Sequence, residues 1–263
     1  MRLLRPIRAF LHDYALSAGF VAVALILWEI GHHVFRVPFY ILPAPSDILD
    51  KFLSSGPLLL GHALVTLREV AGGFLLGVTV GMVVAVLMAS SRALERMLYP
   101  LVISSQTFPK EALAPLFVIW FGFGLAPKVV IAGLISFFPV VVNMTRGLLS
   151  VDPIALDLMR SLTASRGQIF LKLRFPHAVP YLFAALKMCV TLSVIGAVVG
   201  EFVGSSAGLG HLIRLANTEM ATDLMFAALV SLGAMGTLLF LIVDAVEKRF
   251  LKRWGISAEA GVR

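Results

Sequence analysis

The stretch "LDLMRSLTASRGQIFLKLRFPHAVP", residues 156–180, carries Arg160, Arg166, Lys172, Arg174, a histidine and two prolines, in a chain that is otherwise 59% apolar. Just before it, Asp152-Pro153 reads as an N-cap followed by proline at the first helical position, so a helix starts there. Leu156, Met159 and Leu162 recur at spacing three along one face, with Asp157, Arg160 and Ser161 beside them. Ser165 with Gln168 three residues on has the form of a capping box and restarts a second helix, which makes Thr163-Ala164 the joint. "RFPHAVP" is then expected to end that helix, because each proline disfavours helix in the residue before it. A short cationic helix-turn-helix of this kind either rests on lipid headgroups or docks a soluble partner.

The surroundings of this stretch are those of a polytopic membrane protein. Mean hydropathy is +0.94 and only 14% of the 263 residues are charged, well outside the range of soluble domains. Runs of roughly 20 apolar residues, long enough to cross the hydrocarbon, fall near residues 14–35, 66–89, 98–122, 127–149, 179–203 and 223–246. The fold class is therefore all-α with six transmembrane helices. The first run is too long for a signal peptide and holds Trp28 and Glu29 where small residues would mark a cleavage site. The third run is broken by Pro109 and Pro115, whose freed backbone groups need protein or water around them.

Orientation follows from the basic residues. With both termini inside, the cytoplasmic segments hold fifteen Lys and Arg, from Arg2 to Arg263, against Arg36, Lys51, Arg68, Lys128 and Arg214 outside. Residues 150–178 then form the largest cytoplasmic loop. In a membrane protein the net charge of +7 reflects this loop bias rather than a nucleic-acid partner. The single cysteine, Cys189, lies inside an apolar run and reads as a packed hydrophobe.

The pattern "DLM", three residues, Thr163, nine residues, Leu173, one residue, Phe175-Pro176 resembles the coupling loop of ABC importer permeases, whose consensus is E-A-A, three residues, G, nine residues, I, one residue, L-P. Asp157 stands for the glutamate, Leu158 and Met159 for the alanines, and Thr163 for the glycine. The stretches "LPAPSDI" at 42–48, "APLFVIWFGFG" at 114–124, "FFPVVVN" at 137–143 and "GAVVGEFVGSSAGLG" at 196–210 are similar to the nitrate/sulfonate/taurine group, which has close relatives for thiamine-pyrimidine precursors and riboflavin. The resemblance implies a type I importer permease in the bacterial inner membrane. A second permease subunit completes the pathway, two cytoplasmic ATPase subunits drive it, and an extracytoplasmic binding protein delivers the solute. It implies residues 1–65 as cytoplasmic segment, first helix and outer loop, 66–247 as the transport core, and 248–263 as a basic tail. Coupling would fall to Asp157, Met159, Arg160, Thr163, Ser165, Leu173 and Pro176. No cofactor is expected on this chain: it lacks any Gly-Lys dipeptide, hence a P-loop lysine, so ATP must be held by another subunit.

Within the spans, Gly73, Gly77 and Gly81 and again Gly196, Gly200 and Gly204 form small-residue ridges at spacing four, expected to pack helices closely. Lys110 and Glu111 lie near the middle of the third run and are pathway or gate candidates; an interhelical ion pair or a snorkelling lysine is the alternative. Lys187 is expected to snorkel to the cytoplasmic face. Glu201, at the outer end of the fifth run, is expected to brace an outer gate or the binding-protein contact, or else simply to reach the interface. Because Thr163 is β-branched, the joint is expected to keep φ negative, with Thr163 or Ser165 capping the second helix from an extended conformation. Rival classes find little support. The six histidines show no metal-site spacing, an intramembrane protease would want Ser/His or paired aspartates in the spans, and a channel would lack the loop.

Overall fold

The computed structural model describes residues 5–254, with only the backbone of 5–15, 17 and 254. Arg2, Arg263 and tail residues 255–263 lie outside the described residues. What is described is helix and connection, with no strand, in two compact units: one runs up to Leu60 and adds Leu212–Val230, the other comprises Gly61–His211 and the chain from Ser231.

In the first unit, α1 (Arg5–Phe35) is followed by α2 (Pro45–Ser54). Glu29 on α1 accepts hydrogen bonds from the Ser46 backbone N–H at 3.1 Å and its hydroxyl at 2.8 Å, so it satisfies an orphan donor of the first turn of α2. Lys51 on α2 pairs with Asp223 at 3.3 Å, and Trp28 meets Phe226 edge-on.

The second unit is built around α3 (Gly56–Ser90), α6 (Leu125–Leu149) and α9 (Phe175–Gly204). Of the long helices α6 is the most buried, with 56% of its residues covered, and it forms the centre of this unit. Alongside α3 it runs in parallel: residues 59 apart in sequence, such as Glu69 and Lys128, meet along their length. Gly73 abuts Ala132, a methyl on Gly77 would lie 2.6 Å from the Gly133 carbonyl oxygen, and one on Gly81 2.8 Å from Val140 Cβ. Antiparallel to it runs α9, where a methyl on Gly196 would lie 2.6 Å from Ala132 Cα and one on Gly200 3.0 Å from Lys128 Cγ. Both glycine ridges therefore clasp the same helix. Gly204 lies more loosely, against the Phe123 ring. Ser136, Ser193 and Cys189 join α6 to α9 inside this contact, the two hydroxyls 2.6 Å apart.

Among the described residues, five helices are long and apolar enough to cross a membrane, the fourth being the continuous run Arg166–Gly204. The third expected crossing, 98–122, is not one helix. It comprises the end of α4 (Arg92–Gln106), a 3₁₀ turn at Lys110–Leu113 and α5 (Ala114–Phe121). Pro109 interrupts the helical ladder, whereas Pro115 sits in the first turn of α5, where it has no intrahelical bond to lose.

The chain continues through α7 (Pro153–Ser161) and α8 (Arg166–Ile169). The stop expected at "RFPHAVP" does not occur. A π turn at Phe170–Arg174 joins α8 to α9, with Phe175 N–H bonding Phe170 O, and places Pro176 in the first turn of α9. The wider turn relieves the ring's clash with the preceding turn, and Pro180 is carried inside the helix. After α9 come α10 (Leu209–Thr218) and α11 (Thr222–Trp254).

Candidate functional site

The connection between α6 and α9 is built from local hydrogen bonds. Asp152 caps α7 by accepting from Ile154 N–H at 2.9 Å. At the other end the joint departs from expectation, because Thr163 has φ of +58°. Ala164 N–H reaches Met159 O at 3.0 Å and Thr163 N–H reaches Arg160 O at 2.9 Å. These are the two bonds of a Schellman motif, which satisfy carbonyls that the helix end would leave orphaned and so outweigh the steric cost of a β-branched residue there. Ser165 then opens α8 with a capping box: its hydroxyl accepts from Gln168 N–H and the Gln168 side chain accepts from Ser165 N–H at 2.8 Å.

The faces of α7 also differ from the expected stripe. Leu156 and Met159 are half-buried, but Leu162 turns outward with Ile154 and Leu158, the three being 67%, 78% and 60% exposed in that order. Positions 154, 158 and 162 form an i, i+4, i+8 row, flanked by an exposed Asp157–Arg160 pair at 3.0 Å. Leu173 and Pro176 are half-buried at the start of α9. Behind α7, a cleft of about 1220 Å³ opens against the α3–α4 turn, with Arg92, Arg160, Arg166 and Arg174 around it. Arg174 donates to Ala89 O at 3.0 Å, fastening the last turn of α3.

The opposite ends of the same helices hold a buried polar cluster. Glu201 is fully buried, so the reading that it reaches the interface is corrected. Its carboxylate accepts from the Thr66 hydroxyl at 2.6 Å and from the backbone N–H groups of Gly210 and His211 at the start of α10. Thr66 in turn accepts from Leu209 N–H at 2.8 Å, and His62 Nδ1 lies 3.0 Å from Gly208 N. Gly208 has φ of +109°, and any side chain there would run into the Glu201 carboxylate. Glu201 thus folds the loop after α9 back onto the helix end. Beside it, Lys128 is 5% exposed and bonds Glu69 at 2.7 Å and Ser205 Oγ at 2.6 Å. Lys128 is therefore not a loop cation, because its position at the start of α6 faces Glu69 on α3. Sequence reasoning missed Glu69, Lys128 and Thr66. The available signal was two opposite charges, each just inside an apolar run at the same expected membrane face.

Lys187 bonds Asp244 at 2.6 Å and also Glu247, tying α9 to α11. Lys110 and Glu111 lie on the 3₁₀ turn, with Lys110 Nζ 4.0 Å above the centre of the Phe138 ring and Glu111 exposed. Among the described residues, no group of three or more His, Cys, Asp or Glu side chains is placed to hold a metal ion.

The arrangement can transmit motion, since a capped, exposed loop is continuous with a long helix whose far end is pinned to two neighbours. Residues 77–253 match the family described as binding-protein-dependent transport system inner membrane component. The chain belongs to that family. It is 39% identical over 236 residues to a probable ABC transporter permease of Haemophilus influenzae, covering 90% of this chain and 96% of that one. It is 36% identical to the riboflavin transport system permease protein RibX of Chloroflexus aurantiacus, across 89% of this chain and 87% of that one. It is 34% identical to the formylaminopyrimidine transport permease protein ThiX of Halalkalibacterium halodurans, across 88% and 93%. A solved chain of the methionine transporter MetNI, in an inward-facing conformation, superposes with a TM-score of 0.64 at 23% identity, over 73% of this chain and 95% of that one, which shows the shared fold. This chain is a permease subunit of an ABC importer, a membrane-spanning transport component of the inner-membrane family. Membership implies an ATPase, which holds the ATP, and a solute-binding protein as partners.

Proposed function

We propose that two copies of this permease form the pathway, that residues 150–178 lie in the cytoplasm as the element through which the ATPase drives it, and that both termini lie on that side. The binding protein would then meet the face where α9 ends. Residues 66–247 would form the transport core. The observation that most supports the coupling role is the exposed row Ile154, Leu158 and Leu162. An apolar stripe on a polar-flanked helix calls for a protein cleft to cover it. A homodimer is inferred because the chain carries one such domain. Orientation is tested with cysteines at Ser161 and Ser206 in a Cys189→Ser background. An impermeant thiol reagent should label only position 206 in intact cells, and labelling at 161 alone would invert the assignment.

For the solute, we infer a nitrogen heteroaromatic of the formylaminopyrimidine or riboflavin kind, from the 34% and 36% identity to the permeases so named. A second reading, a small anion of the sulfonate or taurine kind, is favoured by Lys110, a cation in the helix break resting on Phe138. Uptake of both classes by cells carrying the intact transporter separates them. Under the anion reading, Lys110→Met impairs anion uptake; under the heteroaromatic reading, it leaves uptake of the aromatic solute near normal.

A further inference from the structure

The cluster at the end of α9 contains two buried carboxyls and one ammonium, and its hydrogen bonds are unequally shared. Glu201 accepts three donors, from Thr66, Gly210 and His211. Glu69, 1% exposed, accepts from Lys128 through Oε1, and among the described residues its buried Oε2 has no donor. Thr66, one turn before Glu69 on α3, donates to Glu201 at 2.6 Å, and Lys128 bridges Glu69 to Ser205 just after Glu201, so the two carboxyls lie in one cluster. Two anions held that close in a dry site, balanced by one cation, would leave a net buried charge and an orphaned acceptor, both of them costly. One hydrogen on Glu69 removes both costs.

We propose that Glu69 and Glu201 share a single proton, carried on Glu69 Oε2 and donated to Glu201, so that Lys128 and an ionised Glu201 form the only charges of an electroneutral buried cluster. Lys128 then donates to the carbonyl-like Oε1 of Glu69 and to Ser205. The proton is a structural part of the clasp that holds the loop 205–211 on α3. The hydrogen bonds of the cluster come from Thr66 on α3, which donates to Glu201, and from Lys128 on α6, which donates to Glu69 and to Ser205 of the loop. The titratable rings beside the cluster are His62, which bonds the Gly208 backbone, and His211, whose backbone N–H donates to Glu201; the two stack 6.2 Å apart. The two carboxyls therefore have different jobs. Glu69 acts as a hydrogen-bond donor and Glu201 as an anion.

The test uses the assembled transporter in lipid nanodiscs. Infrared spectra of the wild type at neutral pH should show a protonated carboxylic C=O band that shifts on deuteration and disappears in Glu69→Gln. It should disappear equally in Glu201→Gln, because Glu69 then ionises to balance Lys128. Hydrogen exchange of Gly210 and His211 separates the roles. Glu69→Gln, whose amide can donate to Glu201 and accept from Lys128, should leave their protection within about twofold, whereas Glu201→Gln should lower it at least tenfold. Should Glu69→Gln fail to assemble, Glu69→Asp serves, moving the band rather than deleting it. No protonated carboxyl band in the wild type, or equal loss of protection in the two glutamine variants, would overturn the proposal.

Discussion

The α6–α9 pair has two unlike ends. At one, Glu201, Glu69, Lys128 and Thr66 are all at or below 5% exposed and bond one another or the α10 start across three helices. At the other, the loop from Asp152 to Arg174 makes almost all its hydrogen bonds within a few residues and leaves Ile154, Leu158 and Leu162 uncovered. The buried end is fixed by long-range partners and gains rigidity. The loop holds its own shape and keeps a free face. Such a division suits a subunit that receives force at one end and must hold its helices in register at the other.

The comparison breaks first at Lys128. Lys128→Met leaves the Glu201 charge without its cation and should destabilise the subunit by about 3–5 kcal/mol, read as a lower melting temperature of the purified complex. A change within error would mean the buried end is not held by charge. Gly196→Val should cost somewhat less, roughly 1–3 kcal/mol, because its methyls meet the Ala132 backbone and force α9 off α6. Normal melting for that variant would show that the helices can separate freely there.

The loop should answer differently. Leu158→Asp should leave melting of the isolated permease within about 0.5 kcal/mol while reducing copurification of the ATPase by tenfold or more, the scale of an interface hot spot. Unimpaired copurification would assign the stripe to lipid. Thr163→Gly should have the smallest effect and the opposite sign, stabilising the joint by about 1 kcal/mol, since glycine adopts positive φ without the β-branched penalty. Slower amide exchange at Ala164 would report it, and faster exchange would contradict the strain.

The same contrast explains what the sequence revealed. The Asp152 cap and the Ser165–Gln168 box were legible because both partners lie within three residues. Thr163 was not, since its own steric preference argues for negative φ and only the hydrogen bonds to Met159 and Arg160 reverse it. Pro176 looked like a stop because a π turn cannot be anticipated from proline alone. The partners of Lys128 and Lys187 are invisible in the sequence because Glu69 and Asp244 lie 59 and 57 residues away. The glycine ridges were visible as spacing, but not that both would meet α6. For Glu201 a local signal did exist, a carboxylate nine residues before the Gly210 N–H that it accepts.

The central claim is that the exposed row on α7 is where the ATPase engages this permease. A photoreactive amino acid at position 158 of the assembled transporter tests it most directly. The account predicts one dominant adduct, joining the permease to the ATP-hydrolysing subunit, while the same probe at position 206 gives none with that subunit. Adducts at 158 confined to lipid, or an ATPase adduct at 206 instead, would contradict it.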